Sequence, residues 1–361
     1  MRNSEMPRSN LWLQNAFLDS LLFSFGWLVV LTPLLFFRDD IYHAIRDSMS
    51  LDTLLSGPGL LSPAGLILVV LLMNYIHRHL TFALVYLEKE EFSRRPGSYI
   101  VLPIAFALLT AVFLHFGLFM ALLTLSILWT MYHSVAQKKG ITRIYARKAG
   151  YGRSWIDKGV IFSWFAWLVL AVAGREQDTL LHFGSGQTIM DIIGDYIGIL
   201  TMASWPVLAI ALGFTGLYVY TELQNRRRMS VPKNLYILSV LMLYAIFLYD
   251  FLVGYIVFAF THAVEYIAFV NLYIKRKYRQ RESITSLLAR AARHQWVWST
   301  AFSLSIVALC LAGIYLDRGV FVTYIVGSSF LHFIYDGWIW KVRRPDVGRP
   351  LDIPYAGSDP A

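Results

Sequence analysis

Charge is what this sequence has least of. Only 15% of its 361 residues are charged, against about 25% in a soluble domain. That deficit argues against an ordinary water-soluble globule and points to lipid as the solvent. Cysteine is nearly absent. Cys310 stands alone, which excludes an intrachain disulfide and any Cys-rich zinc or iron–sulfur site. It lies inside an apolar segment and reads as a small core residue. There is no internal repeat and no low-complexity tract. No cleaved leader is expected either, because the apolar run from Phe17 to Phe37 is too long for a signal-peptide core and no A-x-A site follows it.

What the chain has instead is apolar length. It is 57% hydrophobic and 16% aromatic, with eleven Trp and twenty-one Tyr to serve two membrane–water interfaces. Several apolar runs reach about 20 residues, the thickness of a hydrocarbon core. We read an all-α polytopic transmembrane helix bundle of ten spans, at about 17–37, 60–87, 99–114, 117–137, 159–174, 199–221, 234–249, 251–274, 297–316 and 319–340. Two boundaries follow from length alone: a turn at His115 and Gly117, and another at Asp250 with Gly254. Residues 1–344 form a single transmembrane domain, and the polar, Pro-rich segment from Pro345 to Ala361 is expected to be a disordered cytoplasmic tail.

The net charge of +9 has a topological explanation. Of the 32 basic residues, Arg38, Arg46, Arg175 and Arg318 fall on one face of this trace and Arg78 lies within a span; all the others fall on the opposite face. By the positive-inside rule that basic face is cytoplasmic and both termini are inside, as in a multi-pass protein of a bacterial cytoplasmic membrane. The excess attracts anionic membrane lipids and is not a nucleic-acid signal. The basic stretch from Lys138 to Lys158 carries Ile141, Ile144, Tyr145 and Trp155, so it reads as a surface amphipathic helix or a solvated loop. Asp19, near the start of the first span, is expected at the interface.

Ionisable groups within a span are costly and mark function. The second span carries Asn74, His77, Arg78, His79 and Thr81; the fourth, His133 and Gln137; the eighth, His262 and Glu265; the tenth, Ser328, His332 and Asp336. Residues three or four apart share a helix face. Thus His77, His133, His262 and His332 each have a polar partner beside them, whereas His79 points elsewhere. At about 1.5 Å per residue, His77, His262 and His332 lie roughly 14–20 Å inside the basic ends of their helices, and His133 roughly 8 Å. All four spans run in one direction, so their imidazoles can meet. His43, His115, His182 and His294 fall in loops or turns and read as ordinary.

Four imidazoles with no thiolate suit non-haem iron, with zinc or haem as other occupants. His77, His133, His262 and His332 would be the metal ligands. Glu265 and Asp336 would be further ligands, or would orient the imidazoles and take part in the chemistry. Gln137 is a further polar partner at the cofactor. Arg78 would either pair with Glu265 or Asp336, or hold an anionic headgroup. The leading expectation is a metal-dependent oxidoreductase acting on a hydrophobic small molecule, an isoprenoid, carotenoid or acyl chain, through dioxygen activation in a dry cavity. Alternatives are a haem- or quinone-binding electron-transfer protein and a proton-coupled transporter.

Short motifs allow a fourth reading. Glu90, Glu91 and Arg95 give E-E-x-x-x-R, Phe258 and His262 give F-x-x-x-H, and His332 and Asp336 give H-x-x-x-D. This order resembles the membrane-embedded CAAX prenyl proteases and would imply a membrane hydrolase. The sequence departs from that pattern, however. Its double glutamate sits in a basic cytoplasmic loop, and six helices separate Glu91 from His262. The scattered intramembrane histidines, without a shared motif, are similar to those of the membrane carotenoid-cleaving dioxygenases. H-x-x-H-H and H-E-x-x-H boxes are absent. No family follows from these likenesses.

The topology is directly testable. In a Cys310→Ser background, Arg227→Cys should react with a membrane-impermeant maleimide only from the cytoplasmic side, and Asp40→Cys only from the opposite side. Labelling of both from one side would overturn the trace.

Overall fold

A computed structural model describes residues 11–42, 63–175, 194–279 and 287–353, and every element among them is helical. In chain order the helices are α1 (Ala16–Asp19), continued by a π-turn (Ser20–Ser24), then α2 (Leu28–Phe36), α3 (Pro63–Tyr86), α4 (Lys89–Phe92), α5 (Pro96–His115), α6 (Phe119–Ala149) and α7 (Ser154–Arg175). They continue as α8 (Ile197–Gln224), α9 (Val231–Tyr249), α10 (Phe251–Tyr278), α11 (Leu287–Arg293), α12 (Gln295–Leu316), α13 (Arg318–Ile339) and α14 (Pro345–Gly348).

Eight helices among the described residues are long and apolar enough to cross a membrane, and the pair Ala16–Ser24 and Leu28–Phe36, bent by 43°, would make a ninth. Of the ten expected spans, α13 is the one outside this set. It has 22 residues, but Ser328, Ser329, His332 and Asp336 interrupt its apolar run. The apolar windows of α5 and α8 are only 11% buried and that of α12 only 17%. Apolar faces left so open fit a lipid surround, since water would strongly favour their burial.

Local chemistry sets the turns. Gly117 takes φ +67° between α5 and α6, a conformation glycine adopts without strain. Asp250 caps α10 by accepting from Val253 N at 2.9 Å, and Ser230 caps α9. Both turns expected from length alone, after His115 and at Asp250, are therefore where the helices break.

Three local expectations differ from the structure. The basic stretch after Lys138 is neither a surface helix nor a loop at its start. Helix α6 runs on to Ala149, with Lys138, Ile141, Thr142, Ile144 and Tyr145 buried. Asp19 is fully buried and accepts from Leu13 N, Gln14 N and Tyr145 Oη at 2.6–2.9 Å. Three donors that satisfy both carboxylate oxygens remove its need for water. The chain after Pro345 is ordered through residue 353: Val347, Leu351 and Ile353 pack into the main core. Arg344 ties this segment down through Glu91 at 2.8 Å and Asp346 at 3.1 Å. Partial burial would raise the Asp346 carboxyl, but Arg344 and Arg94 outweigh it and hold it below its ordinary value. Residues 354–361, with His43 and His182, lie outside the described residues.

The helices that matter most are α3, α6, α10 and α13. α3 packs against α10 and α13, and α6 packs against both of them as well. Side-chain pairs fix their direction. Asn74 reaches Ala259 O and Thr81 reaches Tyr266. Arg78 reaches Ser328, and Tyr86 reaches Tyr335. His133 meets His262 and, further along both helices, Gln137 reaches Glu265. Residue numbers rise together in each series, so the four helices are parallel, as the trace requires.

Leu351→Asp places a charge in a fully buried position. It should cost several kcal/mol, lower the thermal midpoint in detergent by about 5 °C or more, and open the chain after Lys341 to protease. An unchanged midpoint and an unchanged digest would contradict the docking of this segment.

Candidate metal centre

Each imidazole reaches the bundle centre because its helix buries the face that carries it. His77, His262 and His332 are buried and His133 nearly so. Ring centroids lie 4.8 Å apart for His77–His262, His77–His332 and His133–His332, and 5.2 Å apart for His133–His262. The rings meet edge to face, at 69–90°. Ligand atoms of His77, His262 and His332 fall within 4.8 Å of one another, as do those of His133, His332 and Asp336.

Hydrogen-bond accounting fixes the orientation of one ring. Thr81 Oγ1 is 2.8 Å from Asp336 Oδ1 and 2.8 Å from His332 Nδ1. A hydroxyl has one proton. With that proton on the carboxylate, Thr81 must accept from His332 Nδ1–H. Asp336 Oδ1 also accepts from Tyr266 Oη at 2.6 Å, and Tyr266 in turn accepts from Trp340 Nε1 at 3.2 Å. A carboxylate acting through a hydroxyl therefore holds the His332 tautomer, and the Nε2 lone pair faces the cluster. Such a support, with the second nitrogen donated to an acceptor, is typical of ligating imidazoles.

The remaining nitrogens are the telling feature. His77 Nδ1, His133 Nε2 and His262 Nδ1 are buried and make no hydrogen bond. Each orphaned polar atom costs about 1–3 kcal/mol. Three of them are a substantial fraction of the about 5–15 kcal/mol that stabilises a typical domain. His77 Nε2 and His332 Nε2 are 3.2 Å apart.

These spacings match an ion. An imidazole nitrogen binds a metal at about 2.1 Å, so two such nitrogens at about 90–109° around it lie about 3.0–3.4 Å apart, and their ring centroids about 4.5–5.3 Å apart. The observed 3.2 Å and 4.8–5.2 Å fall inside both ranges. His332 belongs to both ligand triples, but with Nδ1 committed to Thr81 it has one lone pair to give. The two triples share His332 and can therefore draw on it for one ion only.

The other expected site residues sort differently. Glu265 is not turned to the cluster. Its carboxylate meets Lys138 Nζ at 2.7 Å, Gln137 Nε2 at 3.0 Å and Tyr236 Oη at 3.3 Å. The buried ammonium of Lys138 claims it, and no ligand group among the described residues includes it. Gln137 binds Glu265 and the His262 carbonyl, at 3.1 Å, so it steadies α10 behind the ring. Arg78 pairs with neither Glu265 nor Asp336; it donates to Ile325 O at 2.7 Å and Ser328 Oγ at 3.1 Å. His79 turns away, to Tyr75 O and Tyr324 Oη. Glu91 is spent on Tyr99 and Arg344, and no ligand group includes Glu90 or Glu91, against the CAAX-like order of motifs.

Sequence reading passed over Lys138, Tyr236, Tyr266 and Trp340. Tyr266 is four residues after His262, and Trp340 four after Asp336, so helical spacing could have found both. Lys138 was hidden among the cytoplasmic bases. Comparison with family models, with curated proteins and with solved structures finds no match for this chain. The site is therefore read from its own geometry.

Removing one member of the buried Lys138–Glu265 pair leaves the other charge uncompensated. Lys138→Met or Glu265→Gln alone should destabilise the protein by about 3–5 kcal/mol, and the double variant by much less. If Glu265 is a structural anchor, the double variant keeps the metal content of the wild type. Loss of metal in a stable double variant would restore Glu265 as a ligand.

Proposed function

We propose that this chain is a multi-pass integral membrane protein of ten spans that holds one metal ion, iron above zinc, and acts as an oxidoreductase on a lipidic substrate such as an isoprenoid or acyl chain. The observation that carries this reading is the set of four converging imidazoles, with His77 Nε2 and His332 Nε2 3.2 Å apart and a buried nitrogen of both His133 and His262 that makes no hydrogen bond. His77, His262 and His332 hold the ion on one side, and His133 with Asp336 completes the shell. A donor set of nitrogen and oxygen without thiolate favours iron of the non-haem kind. Iron supplies, when bound, one-electron and dioxygen chemistry that side chains lack.

The protein's own residues do the rest. Asp336, through Thr81, keeps His332 in the tautomer that presents a lone pair. Tyr266 and Trp340 steady Asp336. Lys138 neutralises Glu265 beside the centre, so the surroundings add no stray negative charge. A substrate that arrives from the bilayer needs no soluble domain to deliver it, and the apolar bundle excludes water.

Haem fits less well. Its two axial imidazoles lie on opposite sides of the iron, with centroids about 6.4 Å apart and a macrocycle between them. Here four rings touch at 4.8–5.2 Å. A proton-coupled transporter would use the same polar groups as a relay, but would leave the orphaned nitrogens unexplained.

Elemental analysis of purified protein tests the reading. About one iron per chain is expected in the wild type and in His79→Ala, with most of it lost in His77→Ala, His262→Ala and His332→Ala. Thr81→Val should weaken metal binding about 10–100-fold. A wild-type protein without metal, or His262→Ala and His332→Ala with full metal content, sinks the proposal.

A further inference from the structure

Arg78 is the one basic residue that the trace places within a span, and it has no acidic partner. Among the described residues no carboxylate lies within ion-pair distance of it; the groups that meet its charge are Tyr75, Tyr324 and Cys310, all neutral at pH 7. Both of its protein hydrogen bonds use one nitrogen, Nη1, which donates to Ile325 O and Ser328 Oγ. Nε is buried and makes no hydrogen bond, and Nη2 makes none either. What remains unused is the Nε–Nη2 edge. That edge presents two parallel N–H donors, the fork that grips a carboxylate or phosphate in bidentate fashion.

An uncompensated guanidinium in an apolar bundle is as costly as an orphaned nitrogen, and more so. Other buried cations of the bundle have carboxylate partners: Lys138 pairs with Glu265, and Lys233 with Asp157 and Glu222. Arg78 departs from that pattern. Its surroundings also open outward. Tyr324 is 44% exposed and its hydroxyl meets His79 Nε2 at 2.7 Å. An apolar tail could therefore lie along the lipid-facing surface while its head reaches inward.

We infer that Arg78, through its free Nε–Nη2 edge, is the binding site for the anionic head, carboxylate or phosphate, of a single-chain amphiphile. This deepens the proposed function by naming a substrate class, and rests on that reading for the reaction though not for the binding. Ser328 anchors Arg78 four residues before His332 on the same face of α13, a rise of about 6 Å. Arg78 also directly follows His77 in α3. The head is thereby held next to the imidazole cluster, so the carbons nearest the anionic end are the ones presented to it. An uncharged hydrocarbon would leave the guanidinium unsatisfied.

The test is equilibrium binding to the full-length protein in a non-ionic detergent, with dodecanoate, dodecyl phosphate and dodecanol as probes. Wild-type protein should prefer the two anions over the alcohol by about tenfold or more. Arg78→Gln should abolish the preference. Arg78→Lys keeps the charge but not the fork, so it should lose most of the preference while folding normally, which keeps the test decisive if Arg78→Gln misfolds. Equal binding of dodecanoate and dodecanol by the wild type, or an unchanged preference in Arg78→Lys, overturns the inference. Acetate or inorganic phosphate binding as tightly as the chain-bearing anions would assign the edge to a free anion and overturn the amphiphile. Since the readout needs no metal, a metal-free wild type that still prefers the anions would fail the centre and not this site.

Discussion

A buried ring nitrogen with nothing to bond is the constraint on which this molecule turns. Burying an imidazole in an apolar bundle is tolerable when both nitrogens find partners and costly when one does not. Here His332 is satisfied on one side by the Thr81–Asp336 relay, and its other nitrogen looks into a space shared with three more rings. Hydrogen bonds among the rings cannot settle the account. Neutral imidazoles have one donor each, and His77 Nδ1, His133 Nε2 and His262 Nδ1 are left over. A cation met by His77 and His332 through Nε2 would take up the free nitrogens of His133 and His262 with one partner; His77 Nδ1, on the other edge of its ring, is not among them. The metal reading follows from this electrostatic deficit.

Around that deficit the bundle separates two kinds of buried polar group. One kind is closed. Lys138, Tyr236 and Gln137 Nε2 satisfy Glu265, and Lys233, Asp157, Glu222, Tyr151 and Asn234 satisfy one another at the ends of α7, α8 and α9. Such networks hold helices in register and spend their charges on one another, with Gln137 Oε1 left without a hydrogen bond. The other kind is open: the imidazole cluster lacks positive charge, and Arg78 one turn away lacks negative charge. The two open groups, at neighbouring levels of α3 and α13, are suited to complementary partners, as proposed above: a cation for the imidazoles and an anion for Arg78. Low dielectric strengthens each interaction and makes each omission more expensive.

Several features were legible before any coordinates. Apolar runs of membrane length, turns at Gly117 and Asp250, and the helical spacing of His77 with Thr81 and of His332 with Asp336 follow from periodicity and from the cost of charge in lipid. That His77 and His79 cannot serve one site follows from their different faces; which of them joins the cluster does not. Other features were not legible. Glu265 looks like a ligand beside His262, because spacing along one helix cannot reveal that Lys138 of another helix will claim it. Lys138 looks like a cytoplasmic base, because its place in a buried continuation of α6 depends on packing against α10. The Pro-rich residues after Pro345 look disordered, because the pocket that receives Val347 and Leu351 is assembled from distant helices.

The sequence by itself therefore determined the solvent, the helices and the faces they present. Those depend on transfer free energy and on the 3.6-residue period, both local quantities. Only the tertiary structure decided which polar groups are spent on one another and which are left open. Pairing is a matter of distances between helices remote in the chain, and a few ångströms there separate a neutralised carboxylate from a ligand.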